Sequence, residues 1–570
     1  MRRLFLPLLS LLFLLSACGR AEPLDETLEE KSNLLWEQVQ QSWEDPGFPP
    51  AGDAGYVVFF SASDGKKRAS VRYARGDTLR DAWEGAVEKI NGVVENPIWV
   101  KTDIVSECSP CSASQLSQQI TQSQDWYFRE GISFDPTFET ALLEEELNGS
   151  SILNYDYGDF DVDFLQDRLK ENGLKQIKSA PAEFYAFHCK SWFCDENNNV
   201  SELSADQINQ GQRKIEELDG DFARQMIEGA ASYLASHVLE DGRFVYDYYP
   251  QYDMSTDSYN IIRHAGTIWA MAQSYRLFPS DALKNSILLA SDYLVSMIAY
   301  DVNGAGFLLN EEDGEYELGG NGLAVLALSE VDDVLGEERY KEDCLALGDG
   351  ILFMQDSETG RFNHILTLDF TVKEQFHTEF YDGEGTYALA RLYGLTKDER
   401  WLKAATEATD YFIADNYDEK YCDHWQAYSI NEITKYITDN PVYWDYAMRL
   451  VTNHGDDLAT GSYMSPVYLE MTMNVFETYL RRPDRDSVPR EELEVLFKAI
   501  KQMAKQQSNN FFFPEFAMYM AKPQEALNTF FTRDDLRIRI DDVQHNIGGY
   551  YLYQKDYDSL LDCGFEPFGV

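Results

Sequence analysis

The sequence predicts a mainly α-helical protein: a ring of six helical hairpins over residues 221–570, preceded by a smaller α+β region. Three observations carry this reading. First, amphipathic helical stretches begin near Asp221, Asp281, Glu338, Asp398, Pro441 and Arg490, roughly 40 to 60 residues apart. Between them lie stretches richer in small and apolar residues, at 261–275, 322–328, 386–395, 425–436, 466–479 and 544–553. Only the inner wall of a ring has protein on every side, so an amphipathic set and a more uniformly apolar set suit two concentric layers. Second, the letters repeat: Gly242-Arg243-Phe244 returns as Gly360-Arg361-Phe362, with Gly306-Phe307 in the equivalent place between them. Third, the links alternate. Those joining one hairpin to the next are short (278–280, 336–337, 396–397, 439–440), whereas those inside hairpins run 241–260, 299–320, 355–384, 415–424, 454–465 and 507–543. Alternation places every long link on one rim, where binding residues gather on a rigid scaffold.

The chain opens with Arg2, Arg3 and an apolar run from Leu4 to Leu15, too short to span a bilayer and of the length of a signal-peptide core. Its end, Leu15-Ser16-Ala17-Cys18, resembles the bacterial lipoprotein signal. That resemblance implies removal of residues 1–17, lipidation of Cys18 and membrane contact through the lipid; Gly19, rather than an aspartate, favours the outer membrane. Residues 18–53, with Pro23, Pro46, Pro49 and Pro50, read as a tether around one short helix near 34–43. Residues 54–205 mix strands (55–61, 67–73, 98–105) with helices (78–90, 136–147), an α+β pattern without a phosphate loop, Gly-x-Ser-x-Gly or metal-spaced histidines. The role of this region, and any protein partner it has, stay open.

A net charge of −50 repels phosphate backbones, so nucleic acid is excluded as a partner of the surface as a whole. An apolar content of 44% excludes a disordered chain. An exported chain favours disulfides, and Cys108 with Cys111, and Cys189 with Cys194, are the expected cysteines, paired within or across these sets. The same spacings also fit a redox pair or a four-thiolate zinc site.

The ring resembles the (α/α)6 toroid of the six-hairpin glycosidase-like superfamily, on architecture alone. The resemblance implies saccharide chemistry at a saccharide or envelope glycan: glycoside hydrolysis first, a sugar epimerase or polysaccharide lyase second, and a non-catalytic glycan-binding lipoprotein third. No cofactor and no metal is expected.

Six of the eight histidines (His264, His364, His377, His424, His454, His545) fall in the long links or the first turns after them. The links also carry aromatic–carboxylate runs, residues 245–250 with Asp247, Tyr248 and Tyr249, and residues 377–385 with His377, Glu379, Asp382 and Glu384. Aromatic faces stack on sugar rings while carboxylates bond the hydroxyls. Glu384, read as immediately preceding an inner helix, is the leading general acid, with Glu379, Asp382 and Asp247 as the other carboxylates of a hydrolase. For proton exchange the candidates are Tyr259, His264, His424 and His545, with Tyr259, Arg263 and Trp425 also placed to bind substrate. Each of these residues also has a structural alternative, as a helix cap, rim packing or an ion pair.

Overall fold

The computed structural model describes residues 24–123, 126–177, 181, 183–205, 210–460, 466–533 and 535–567. Residues 1–17 and Cys18 lie outside the described residues, and no helix among those described is long and apolar enough to cross a membrane.

The first helix, α1 (Glu26–Ser42), is longer than the short helix expected in the tether, and it packs on the following sheet. Its buried Lys31 donates to Asn198 Oδ1 at 2.8 Å, and Ser42 Oγ accepts from Trp192 Nε1 at 3.0 Å. The sheet is antiparallel and seven-stranded: β1 (Tyr56–Ser63), β2 (Ser70–Gly76), β3 (Trp99–Ser112), β4 (Gly131–Ser133), β5 (Ala141–Leu142), β6 (Glu183–Cys194) and β7 (Val200–Glu202), in the order β2-β1-β3-β6-β4-β5 with β7 beside β6. Helix α2 (Leu79–Ile90) covers β1 and β2. The helix expected over 136–147 is instead a turn, strand β5 and a short helix, Glu144–Gly149.

The cysteine expectation is corrected here. Cys108 and Cys111 both lie within β3, and Cys189 and Cys194 within β6. Residues three or five apart on an extended strand point to opposite faces and are too far apart for a disulfide. Every described cysteine is a free thiol.

The ring follows as an (α/α)6 toroid. Its outer helices are α3 (Gly220–Ser236), α5 (Asp281–Ser296), α7 (Lys341–Met354), α9 (Glu399–Ala414), α11 (Pro441–Thr452) and α13 (Arg490–Ser508). Its inner helices are α4 (Ile261–Leu277), α6 (Leu318–Leu335), α8 (Glu379–Thr396), α10 (His424–Ile433), α12 (Val467–Arg481) and α14 (Ile540–Asp562). Each inner helix touches the next, and α14 closes the ring on α4. The layers read as the pattern requires: α6 is buried at every residue from Leu318 to Val331, whereas α9 buries one stripe (Trp401, Leu402, Ala404, Ala405, Ala408, Thr409, Phe412). Side-chain caps start the outer helices at Asp219, Ser280, Asp398 and Asn440, the last followed by Pro441 in the first turn. Gly336, in the left-handed region at φ 64°, ends α6 and permits the short return to α7.

The links alternate as the sequence puts them, with two larger shifts of bounds: the third long link ends at Thr378, where α8 begins, and the short link before α11 runs over 434–440. The rim is stiffened by strand pairing: segments of the second and third long links form a five-stranded antiparallel sheet, and Asp247–Tyr248 pairs with Ile538–Arg539 across the first and last. The sixth long link docks on the N-terminal sheet. Tyr519 donates to Ser61 Oγ at 2.7 Å, Arg68 donates to the Tyr519 and Gln251 carbonyls at 2.6 Å, and Arg213 pairs with Glu515 at 2.7 Å. Buried Lys101, bonded to Asp103 at 2.6 Å and Glu145 at 2.5 Å, lies 5.5 Å from the Tyr519 ring at the same junction.

Candidate functional site

The inner helices begin at the long-link rim, so their first turns converge on the mouth of the ring. The axis beneath is filled by aromatic rings: Trp269, Tyr387, Trp425 and Tyr428 are all buried, with Trp269 5.7 Å from Trp425 and 5.2 Å from Tyr428. These rings close the axis below the first turns of the inner helices.

Three ionisable groups meet above it. His424 opens α10, where Asp423 caps the helix by accepting from the Trp425 amide at 2.9 Å. His545 lies in the second turn of α14, and its Nδ1 is 3.0 Å from Oε2 of Glu470 on α12. The same Glu470 oxygen is 3.7 Å from His424 Nε2, and the two imidazoles stand nearly perpendicular, 5.2 Å between centroids. Neither His424 nitrogen has a hydrogen-bond partner among the described residues. Glu470 sits where it does because Gly548 leaves room: a Cβ there would lie 2.0 Å from Glu470 Oε1.

Electrostatics sets the two imidazoles apart. Burial, with repulsion from His545, pushes the His424 pKa well below the usual histidine range. Burial also works against the charged form of His545, but Glu470 outweighs it and raises the pKa. Burial raises the pKa of Glu470 in turn, against the pull of His545.

Glu384, on α8, lies nearby with one carboxyl oxygen unpartnered and buried. Burial raises its pKa to about 8, although His545 pulls the other way, so it is largely a neutral acid at pH 7. Its carboxyl rests against the start of α6, where a Cβ on Gly319 would lie 2.1 Å from Oε2. Arg263 completes the group. Asn260 caps α4 and fixes its first turn; Arg263 then pairs with Asp541 at 2.8 Å and donates to the Tyr246 hydroxyl. Arg539 and Arg263 overcome burial to lower the pKa of Asp541, while Asp542 is raised to about 6 by burial and by Asp541.

Other expected residues are occupied elsewhere. His264, beside Arg263 in sequence, points to the outer layer: the Tyr259 hydroxyl bonds its Nδ1 at 2.6 Å and the Ala290 carbonyl its Nε2 at 3.0 Å. Burial lowers its pKa to about 4. Tyr259 also accepts from the Phe244 amide, so it is tied into this same structural bond chain. Asp382 is buried between His364 at 3.0 Å and the Tyr417 hydroxyl at 2.7 Å. Asp247 accepts from the Thr256 amide and hydroxyl, a turn-holding role, and Tyr248 donates to Asp253 at 3.1 Å. Tyr249 is half-buried in a bridge to Met254, and Trp425 belongs to the aromatic floor, 6.4 Å from His545. Glu379 is half-buried in the first turn of α8, and exposed His377 bonds Glu374 at 3.0 Å. Glu384 itself lies inside α8 rather than before it: Gly383 and Gly385 do not break the helix, and Gly383 admits Trp425, whose Cβ would be 2.4 Å from a Cβ at that position.

Thus Arg263, Glu384, His424 and His545 come together, and His264, Asp382 and Asp247 do not join them. Glu470 and Asp541 were missed. The one charged residue in the stretch 467–476 was the available signal for Glu470, since an inner helix has no solvent face to receive it. The donor atoms of His424, Glu470 and His545 all lie within 4.8 Å of one another, as do those of Asp313, Glu315 and Glu317 on the rim, so either set has the donors of a metal centre.

No family model matches the chain, and no curated protein matches it. Similar solved structures include D-mannose isomerase, at 11% identity and TM-score 0.43 over 59% of this chain and 97% of that one. A cellobiose 2-epimerase from Bacillus thermoamylovorans matches at 12% and 0.44, over 59% and 99%, and a GH76 alpha-mannanase of Bacteroides thetaiotaomicron at 9% and 0.41, over 60% and 97%. At this level of similarity no residue's role passes from them to this chain.

Proposed function

We propose that the ring processes a saccharide by proton transfer at carbon, as a sugar epimerase, and that the chain does so at the bacterial envelope, anchored through Cys18. The observation that carries the reading is the pair of imidazoles 5.2 Å apart whose pKa values are driven in opposite directions, His424 by burial and His545 by Glu470. A base held neutral beside an imidazole biased toward its charged form is what such a reaction needs. With an open-chain sugar in the mouth, His424 takes the proton from the carbon next to the carbonyl, and the electron pair moves onto the carbonyl oxygen. Glu384, protonated at pH 7, donates a hydrogen bond to that oxygen. His545 returns a proton to the opposite face of the same carbon, the carbonyl re-forms, and exchange with solvent restores both imidazoles. Arg263, held by Asp541, binds sugar oxygens at the edge of the mouth.

Glu384 also favours a second reading, as the general acid of a glycoside hydrolase. Hydrolysis requires a partner carboxylate, about 5 to 9.5 Å away depending on stereochemistry. The neighbouring carboxylates are engaged: Asp382 by His364 and Tyr417, Asp541 by two arginines. Asp423 is driven by burial toward its protonated form, and Glu470 is engaged by His545 at 3.0 Å.

Proton NMR of the purified chain with reducing monosaccharides, disaccharides and longer oligosaccharides separates the two. A new epimer without chain shortening, lost in His424→Asn and His545→Asn, supports the proposal. Release of shorter sugars, abolished by Glu384→Gln, replaces it with hydrolysis.

A further inference from the structure

We infer that Phe380, with Phe376 and Tyr421 beyond it, forms a stacking surface for the sugar residues next to the reacting one, so that the substrate is an oligosaccharide engaged by its end residue. This rests on reading the His424–His545 site as sugar-processing.

Phe380 lies in the first turn of α8 and is 36% exposed, yet its ring meets His424 at 5.7 Å and 62°. It is therefore an open aromatic surface in direct contact with a reacting group of the proposed site. Four residues earlier Phe376 is 39% exposed, and its ring lies roughly parallel to half-buried Tyr421, 6.2 Å between centroids. Tyr421 belongs to the link that leads into His424, so the third long link and the first turn of α8 after it supply Phe376 and Phe380 to this side of the entrance and the fourth long link supplies Tyr421.

Two other exposed aromatics of the rim have partners that account for them. Tyr300 donates to Asp343 on α7, and Tyr252 packs at 5.7 Å on Phe164 of the N-terminal region. Among the described residues the rings that Phe376 and Phe380 meet are His364, Tyr421 and His424, and large apolar side chains left open beside a polar site mark a binding surface. Their surroundings supply the complementary chemistry. Glu379 is half-buried beside Phe380, and Glu374 and His377 form an exposed pair beside Phe376. Carboxylates that accept from hydroxyls, next to ring faces that cover C–H groups, match a sugar and not an extended peptide or an alkyl chain.

The test is calorimetric titration of the full chain, wild type, Phe380→Ala and Phe380→Trp, with glucose, cellobiose and cellotriose and with mannose, α-1,6-mannobiose and α-1,6-mannotriose. In the wild type at least one series should tighten by roughly three- to tenfold with the added residues, the gain of a stacked aromatic face. Phe380→Ala should remove that gain and leave monosaccharide affinity unchanged, and Phe380→Trp should keep it. Length-independent wild-type binding, or equal weakening of mono- and oligosaccharides in Phe380→Ala, overturns the stacking surface and leaves the sugar reading intact. Failure of every sugar to bind overturns both.

Discussion

Replacing His264 by Phe should expose its role as structure and not catalysis. Its two nitrogens are satisfied only as neutral imidazole, with Nε2–H donating to the Ala290 carbonyl and Nδ1 accepting from the Tyr259 hydroxyl, which already accepts from the Phe244 amide. Burial lowers its pKa from 6.5 to about 4. A depressed folded-state pKa means that stability is fully present above the unfolded pKa and is lost as pH falls toward the folded one. Between pH 7 and pH 5 this single group should cost the wild type about 2 kcal/mol, from about 1.4 kcal/mol per pH unit below 6.5. His264→Phe should lose about 1 to 3 kcal/mol at pH 7, because the Tyr259 O–H is left without its acceptor. It should also remove the acid-side loss. Urea unfolding followed by tryptophan fluorescence, for both proteins at both pH values, gives the double difference, in which the contributions of His424 and His545 cancel. A gap between wild type and variant that is the same at pH 5 as at pH 7 would refute the reasoning, as would loss of turnover at pH 7 in a folded variant.

Cys18→Ala should move the exported chain from the detergent phase to the aqueous phase; unchanged partitioning defeats the lipid anchor. Glu384→Gln should remove an alkaline limb of activity near pH 8, since the protonated acid is the working form and is lost as pH rises through about 8. Because glutamine keeps an N–H donor, the fall in kcat at pH 7 should be only about tenfold for an epimerase, against a thousandfold or more for a hydrolase. Gly548→Ala places a Cβ 2.0 Å from Glu470 Oε1 and should displace that carboxyl from His545. Turnover should drop at least tenfold, and the His545 pKa, followed by NMR, should fall; retention of both contradicts the support assigned to Glu470.

Much of the ring was legible because its two helix classes differ in one property that the letters carry, the width of the apolar stripe. Link lengths then placed the mouth, and Arg263, Glu384, His424 and His545 followed from their positions at inner-helix starts. The errors have a common cause. Successive residues on an α-helix differ by about 100° in direction, so adjacent Arg263 and His264 do not both face the axis, and Asp382 and Glu384 point apart. Reading residues 377–385 as a loop, on the strength of Gly383 and Gly385, hid that divergence. Those glycines mark close approach between helices and not a turn, a distinction that only the neighbouring chain makes visible. Glu470 went unread because its role depends on His545, 75 residues away in sequence. The cysteine pairs failed for the opposite reason: close in sequence, they are held apart on extended strands, one longer than the expected 98–105 and one, Glu183–Cys194, not expected.

The central claim is that His424 and His545 move a proton at a sugar carbon, and solvent isotope exchange tests it most directly. The wild-type chain, incubated in D2O with the reducing sugar it binds best, should place one deuteron on the carbon next to the carbonyl in each epimer formed. His424→Asn and His545→Asn, folded as judged by circular dichroism, should place none, and a metal chelator should leave the wild-type rate unchanged. Turnover without deuterium at carbon, or deuterium uptake that persists in both variants, would contradict the account.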